Sequence, residues 1–139
     1  MKIALCQINT IIGDIEGNKA KILEGYERGV KDNVDLVIFP ELAVCGYPPQ
    51  DLLEKVEFRQ AVIETSEEIT QFTKSIGLIF GSISEEQESV GTGIYNSAIL
   101  CFDGKTQFIQ KKTLLPNYDV FDELRYFEPS KEVSVFEFR

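Results

Sequence analysis

The sequence predicts a layered α/β domain, a mixed sheet with helices packed on one face. Three observations carry that prediction. Strand-sized apolar runs alternate with two long stretches of helical periodicity, the pattern of successive βα units. Asp103-Gly104 then sits between two β-rich runs, the strongest short signal for an antiparallel hairpin. The early strands are also apolar on both sides, so the sheet face away from the helices needs a partner of its own.

The elements follow in order. Residues 2–9 (KIALCQIN) read as a buried strand, and Gly13, Asp14, Gly17 and Asn18 punctuate a turn after it. From 18 to about 31, Ala20, Ile22, Leu23, Tyr26 and Val30 recur at helical spacing on a charged background, with Asn18 a suitable N-cap. Residues 35–39 (DLVIF) form a second strand ended by Pro40. The two prolines and the glycine of CGYPPQD make 45–51 irregular. A second helix is expected over about 53–76, with Phe58, Val62, Ile69 and Phe72 facing inward. A third strand covers 77–83, and 84–93 is a polar loop. Residues 95–102 and 106–111 are the arms of the hairpin. A long ordered loop over 114–130 carries two prolines, and 133–138 alternates like one more strand. No repeat, linker or domain boundary interrupts residues 1–139. An end in mid-strand at Phe138-Arg139 reads as a cut, or else as a strand that closes a sheet edge.

Composition narrows the chemistry. The 139 residues are 43% hydrophobic, enough for one real core, and ten Phe and five Tyr supply its bulk. Acidic residues outnumber basic ones 23 to 14 and no basic run appears, which argues against nucleic acid and against an anionic membrane as partners. The apolar stretches are too short to span a bilayer and residues 1–10 lack a signal-peptide core, so a soluble, cytoplasmic protein is expected. Cys6, Cys45 and Cys101 lie far apart in apolar surroundings and read as reduced thiols. The chain has no His, so a Ser-His-Asp or Cys-His system and an HExxH zinc site are excluded within it. Catalysis here must use carboxylates, lysine, tyrosine or cysteine.

Three features offer such chemistry. Glu41 directly follows strand 35–39 and Pro40, where sites form in open α/β sheets. Beside Phe39, Leu42 and Val44 it reads either as a desolvated general base or as a surface glutamate opening a loop. Lys111 and Lys112 end a strand, so alternation sends one inward and one to solvent. The inward one stabilises an oxyanion, unless both are solvated. The segment LLPNYDVFDELRYFEP gathers Tyr118, Phe121, Asp122, Glu123, Arg125, Tyr126 and Phe127, a functional loop or a structural one pinned by acid–arginine pairs.

The combination is more specific than its parts. FPELAVCGYPPQDLL, YNSAILCFDGK and QKKTLLPNYDVFDELRYFEPS, in this order, resemble the nitrilase superfamily. The third segment is similar to the N-terminal glutaminase domains of glutamine-dependent NAD synthetases, and KIALCQINTIIGDIEGNKAKI matches the family's first strand and helix. The resemblance covers essentially the whole chain. It implies an αββα sandwich, of which 1–139 supplies the N-terminal half, and a Cys-Glu-Lys triad. In that triad Glu41 matches the general base. Lys112, immediately before T-L-L-P, matches the oxyanion lysine. Tyr118 matches a contact to L-glutamine, Glu123 a carboxylate near the lysine, and Tyr47 and Phe121 a pocket lining. The family's nucleophilic cysteine follows a later strand, so this chain is expected to stop before it, and Cys45 occupies a position where small residues are tolerated. The resemblance implies no cofactor in this chain and places ATP and Mg in a downstream domain that amidates nicotinic acid adenine dinucleotide. A stand-alone amidase or carbamoylase and a non-catalytic binding or dimerisation module are the competing readings. Half a sandwich leaves an apolar face, from which a homo-oligomer is expected.

Overall fold

Five strands lie side by side in sequence order in the computed structural model, which describes residues 1–86 and 91–138. β1 (Ile3–Leu5), β2 (Leu36–Ile38) and β3 (Gly77–Glu85) are parallel; β4 (Ile94–Phe102) and β5 (Lys105–Lys111) continue the sheet antiparallel. The turn joining β4 to β5 is the expected Asp-Gly one, with both residues at positive φ (51° and 69°) as a type I′ turn requires. α1 (Ile15–Lys31) and α2 (Val56–Phe72) fill the parallel crossovers and pack against each other and against β2 and β3. This is the mixed α/β layer that the alternation of periods predicts.

Cross-strand register sorts the sheet into two faces. Ser82 Oγ shares a 2.7 Å hydrogen bond with Ser66 Oγ of α2, which puts Leu78, Phe80 and Ser82 on the helix side with their partners Cys101, Ile99 and Ser97. Ile22, Tyr26, Val37, Val62, Ile69, Leu78 and Phe80 close the core there, none more than 1% exposed. The opposite face carries Leu36, Ile79, Ala98, Leu100 and Phe108. Across it lies the C-terminal segment, with Phe136 stacked on Phe108 and Phe138 edge-on to Phe102.

Several expectations are corrected. β1 is shorter than 2–9. α1 is capped by Asp14, whose carboxylate accepts from Gly17 N at 3.0 Å, and not by Asn18. Asn18 is fully buried and bridges instead: it accepts from Ile11 N and donates to Ile11 O and Val44 O. The helix expected over 53–76 divides, because Lys55 is extended between a 3-10 turn at Gln50–Glu54 and α2. Phe72, expected inward, ends α2 at 37% exposure with its ring edge-on to Tyr26. β3 runs to Glu85, so the loop expected over 84–93 is shorter, and its residues 87–90 lie outside the described ones. Residues 133–138 alternate but form no strand, since they cross the sheet face and find side-chain partners there: Ser134 N donates to Gln110 Oε1.

Candidate active site

Glu41 stands where β2 gives way to a tight turn. Gly81 N of β3 donates to Pro40 O at 3.1 Å, and a Cβ on Gly81 would fall 2.3 Å from Leu42 N, so only glycine lets the strand approach this closely. Leu42 is left-handed (φ 47°) and fully buried, and Gly46 N closes the turn onto Leu42 O at 2.8 Å. The turn buries Leu42, Ala43, Val44 and Cys45 completely and leaves the Glu41 side chain 43% exposed. The desolvated setting expected of Glu41 is therefore absent. Its apolar neighbours turn into the core, and what surrounds the carboxylate is polar.

Lys112 arrives from the end of β5. Its backbone N donates to Asn96 O of β4 at 2.8 Å. Strand alternation places Lys111 and Lys112 on opposite faces, and both are paired. Lys111 hydrogen-bonds Glu86 and lies 4.0 Å from the centre of the Tyr95 ring. Lys112 Nζ reaches Glu41 Oε1 at 2.6 Å and Glu123 Oε1 at 3.0 Å. Glu123 opens the 3-10 turn Glu123–Arg125 and is 4% exposed. Tyr47, preceding a cis peptide bond to Pro48, donates from its hydroxyl to Glu123 Oε1 at 2.9 Å. Asn96 Nδ2 donates to Glu41 Oε1 at 2.6 Å and lies 3.4 Å from Glu123 Oε2.

The electrostatics follow from this list. Partial burial lowers the pKa of Lys112, but the hydrogen bonds to Glu41 and Glu123 and the charges of both outweigh it, so the ammonium titrates above the ordinary lysine value. Burial, then the Glu123 carboxylate, raises Tyr47, which stays a neutral donor. The site is a permanent cation held between two carboxylates. None of the three thiols serves it. Burial pushes Cys45 up to about 12 and Cys101 to about 11, and both are sealed from solvent. Cys6, half-buried just past β1, is also raised by burial, and its sulfur packs toward Gly25 of α1.

The structure thus gathers Glu41, Lys112, Glu123 and Tyr47 into one cluster and leaves two expected residues outside its hydrogen bonds. Tyr118 is 68% exposed, edge-on to Phe121, and shares with Lys112, Leu115 and Leu124 an open recess of about 480 Å³. Phe121 lies against Tyr47 in a separate recess of about 20 Å³, too small for a substrate. A larger recess of about 800 Å³, near Tyr95 and Glu128, includes neither Glu41 nor Lys112. Asn96 is the member that the sequence reading missed; its signal was an amide beside Ser97 in the mostly apolar run of β4. Among the described residues no group of His, Cys, Asp and Glu is arranged to hold a metal ion, and no helix is long and apolar enough to cross a membrane.

A carboxylate and a lysine thus stand together, without histidine, at the carboxyl end of a strand in a mixed sheet, where open α/β folds build their sites. The family model for carbon-nitrogen hydrolases matches residues 2–139, and the chain belongs to that family. Within it the chain is similar to the glutamine-dependent NAD(+) synthetase of Acinetobacter baylyi, 39% identical over 137 residues that make up 99% of this chain and 25% of that protein. It is also 35% identical to the synthetase of the same name from Thermotoga maritima, over 97% of this chain and 23% of that one. The solved glutamine-dependent NAD+ synthetase of Acinetobacter baumannii, in complex with ADP, superposes with a TM-score of 0.90 at 36% identity, over 99% of this chain and 25% of the other. An amidase from Nesterenkonia sp. AN1 shares the fold, with a TM-score of 0.70 at 22% identity over 95% of this chain and half of its own. The chain spans about a quarter of the length of the curated relatives it matches.

Proposed function

We propose that the chain is the N-terminal part of the carbon-nitrogen hydrolase domain of a glutamine-dependent NAD synthetase, and that Glu41 and Lys112 are its general base and oxyanion stabiliser. The observation that carries this reading is the Lys112 ammonium bridging Glu41 and the buried Glu123. Glu41 takes the proton of an attacking thiol, which forms a bond to the side-chain amide carbon of L-glutamine. Lys112 faces the oxygen that becomes negative, a group that a fixed cation stabilises without reorganisation. As the C–N bond breaks, Glu41 returns the proton to the leaving ammonia. It then activates the water that frees glutamate from the thioester. Glu123 and Tyr47 hold Lys112 in place, while Tyr118 borders the substrate side and Phe121 backs its ring. Because Cys45 and Cys101 are buried against the Leu42 and Leu78 carbonyls and Cys6 packs against Gly25 of α1, the thiol is assigned to residues outside this chain.

On this reading a further domain amidates nicotinic acid adenine dinucleotide with the released ammonia, using ATP and Mg, in the cytoplasm, and neither nucleic acid nor membrane is a partner. A chimera in which the chain replaces the matching quarter of the Acinetobacter baylyi synthetase tests substrate choice. Ammonia release from glutamine well above that from propionamide or an N-carbamoyl amino acid is expected. A preference for either of those would favour the stand-alone amidase, and a folded chimera with no turnover would favour the non-catalytic module.

A further inference from the structure

We propose that Asn96 is a positioning residue for the Glu41 base: it commits one carboxylate oxygen to hydrogen bonds and leaves the other to carry the proton. The inference rests on the reading of Glu41 as the base. Both donors to Glu41, Lys112 Nζ and Asn96 Nδ2, reach the same oxygen, Oε1, each at 2.6 Å. Among the described residues none reaches Oε2. An oxygen that already accepts two hydrogen bonds is the poorer proton acceptor, so the proton goes to Oε2. Lys112 alone does not fix the plane of the carboxylate, since an ammonium on a four-carbon stem is a swivelling point charge. The Asn96 amide does, because it is planar, 3% exposed and set in the middle of a sheet. Its orientation is unambiguous: a side-chain carbonyl turned toward Glu41 and Glu123 would face two carboxylates, so the nitrogen must. The amide is also neutral. A second cation here would quench the basicity that the reaction needs, whereas an amide orients the carboxylate without adding charge. The same residue anchors the other partner, since Asn96 O accepts the backbone N–H of Lys112.

The test has two arms. In ¹⁵N spectra of the 139-residue chain, one Asn96 side-chain proton should resonate downfield of ordinary amides and move back in Glu41→Gln, with the remaining backbone signals in place. In the chimera, Asn96→Leu, which keeps the shape and the backbone bond but removes the donor without adding charge, should lower kcat for glutamine by about 10- to 100-fold with KM little changed. Asn96→Ala should do the same. An Asn96 amide indifferent to Glu41→Gln overturns the inference, and so does a kcat that Asn96→Leu leaves intact. Failure of the underlying reading looks different: Glu41→Gln would then turn over glutamine normally while the amide signal still responded.

Discussion

At the scale of single residues, the cluster behaves as one electrostatic unit. Glu123, itself buried, accepts from two partners, Lys112 and Tyr47. Glu123→Ala should destabilise the chain by about 2 kcal/mol, because it removes the buried acceptor of the Tyr47 hydroxyl and one of the two carboxylates on Lys112. Glu123→Gln, which still accepts from Tyr47, should cost about 1 kcal/mol, and urea unfolding at neutral pH separates the two. Lys112 adds a dependence on pH. Its folded pKa lies above the unfolded value of 10.5, so its contribution is complete below that pH and is lost as pH rises through the folded value. The stability gap between wild type and Lys112→Met should therefore shrink above about pH 10.5. A gap that stays constant there would mean that the pairing is not what raises Lys112. Lys112 was legible in the sequence only through its motif; alternation alone put either lysine inward, and in the fold both are paired.

At the scale of elements, the start of α1 shows what local sequence leaves undecided. Asp14 and Asn18 are both good capping types four residues apart, and only the fold assigns them. Asp14 caps, whereas Asn18 ties residue 11 to Val44, 26 positions on in the turn that carries Glu41. Asn18→Ala should cost about 2–3 kcal/mol, since Val44 O loses a buried donor, against about 1 kcal/mol for Asp14→Ala. Equal losses in thermal or urea unfolding would contradict this division of roles. The sheet itself was far more legible. DLVIF, GLIFGSI and the Asp-Gly hairpin are local signals, and each became the expected strand or turn. Asn96 escaped notice because its partners lie 55 and 27 residues away, where no local period reaches.

For the whole molecule, the two faces of the sheet differ. The helix side is sealed. On the other side the short C-terminal segment covers β3 to β5 with Phe136 and Phe138, but Ile3 and Leu5 of β1 stay 44% and 78% exposed. Apolar surface of this kind favours association, and the chain should form a concentration-dependent dimer. Sedimentation across a hundredfold concentration range checks this. A mass fixed at 15.7 kDa throughout would contradict it. The alternation of residues 133–138 was visible in the sequence. That those residues cross the sheet and do not extend it was not, because alternation reports two faces and says nothing of which surface receives one of them.

On the proposed function, Glu41 and Lys112 act together on an amide. The most direct test of that joint role is glutamine hydrolysis by the chimera carrying Glu41→Gln or Lys112→Ala, with ammonia-dependent NAD formation as the control for folding. Loss of glutamine turnover by about a thousandfold or more in each variant, with the ammonia-dependent reaction preserved, is the predicted result. Glutamine turnover that survives both substitutions in the folded protein would contradict the account.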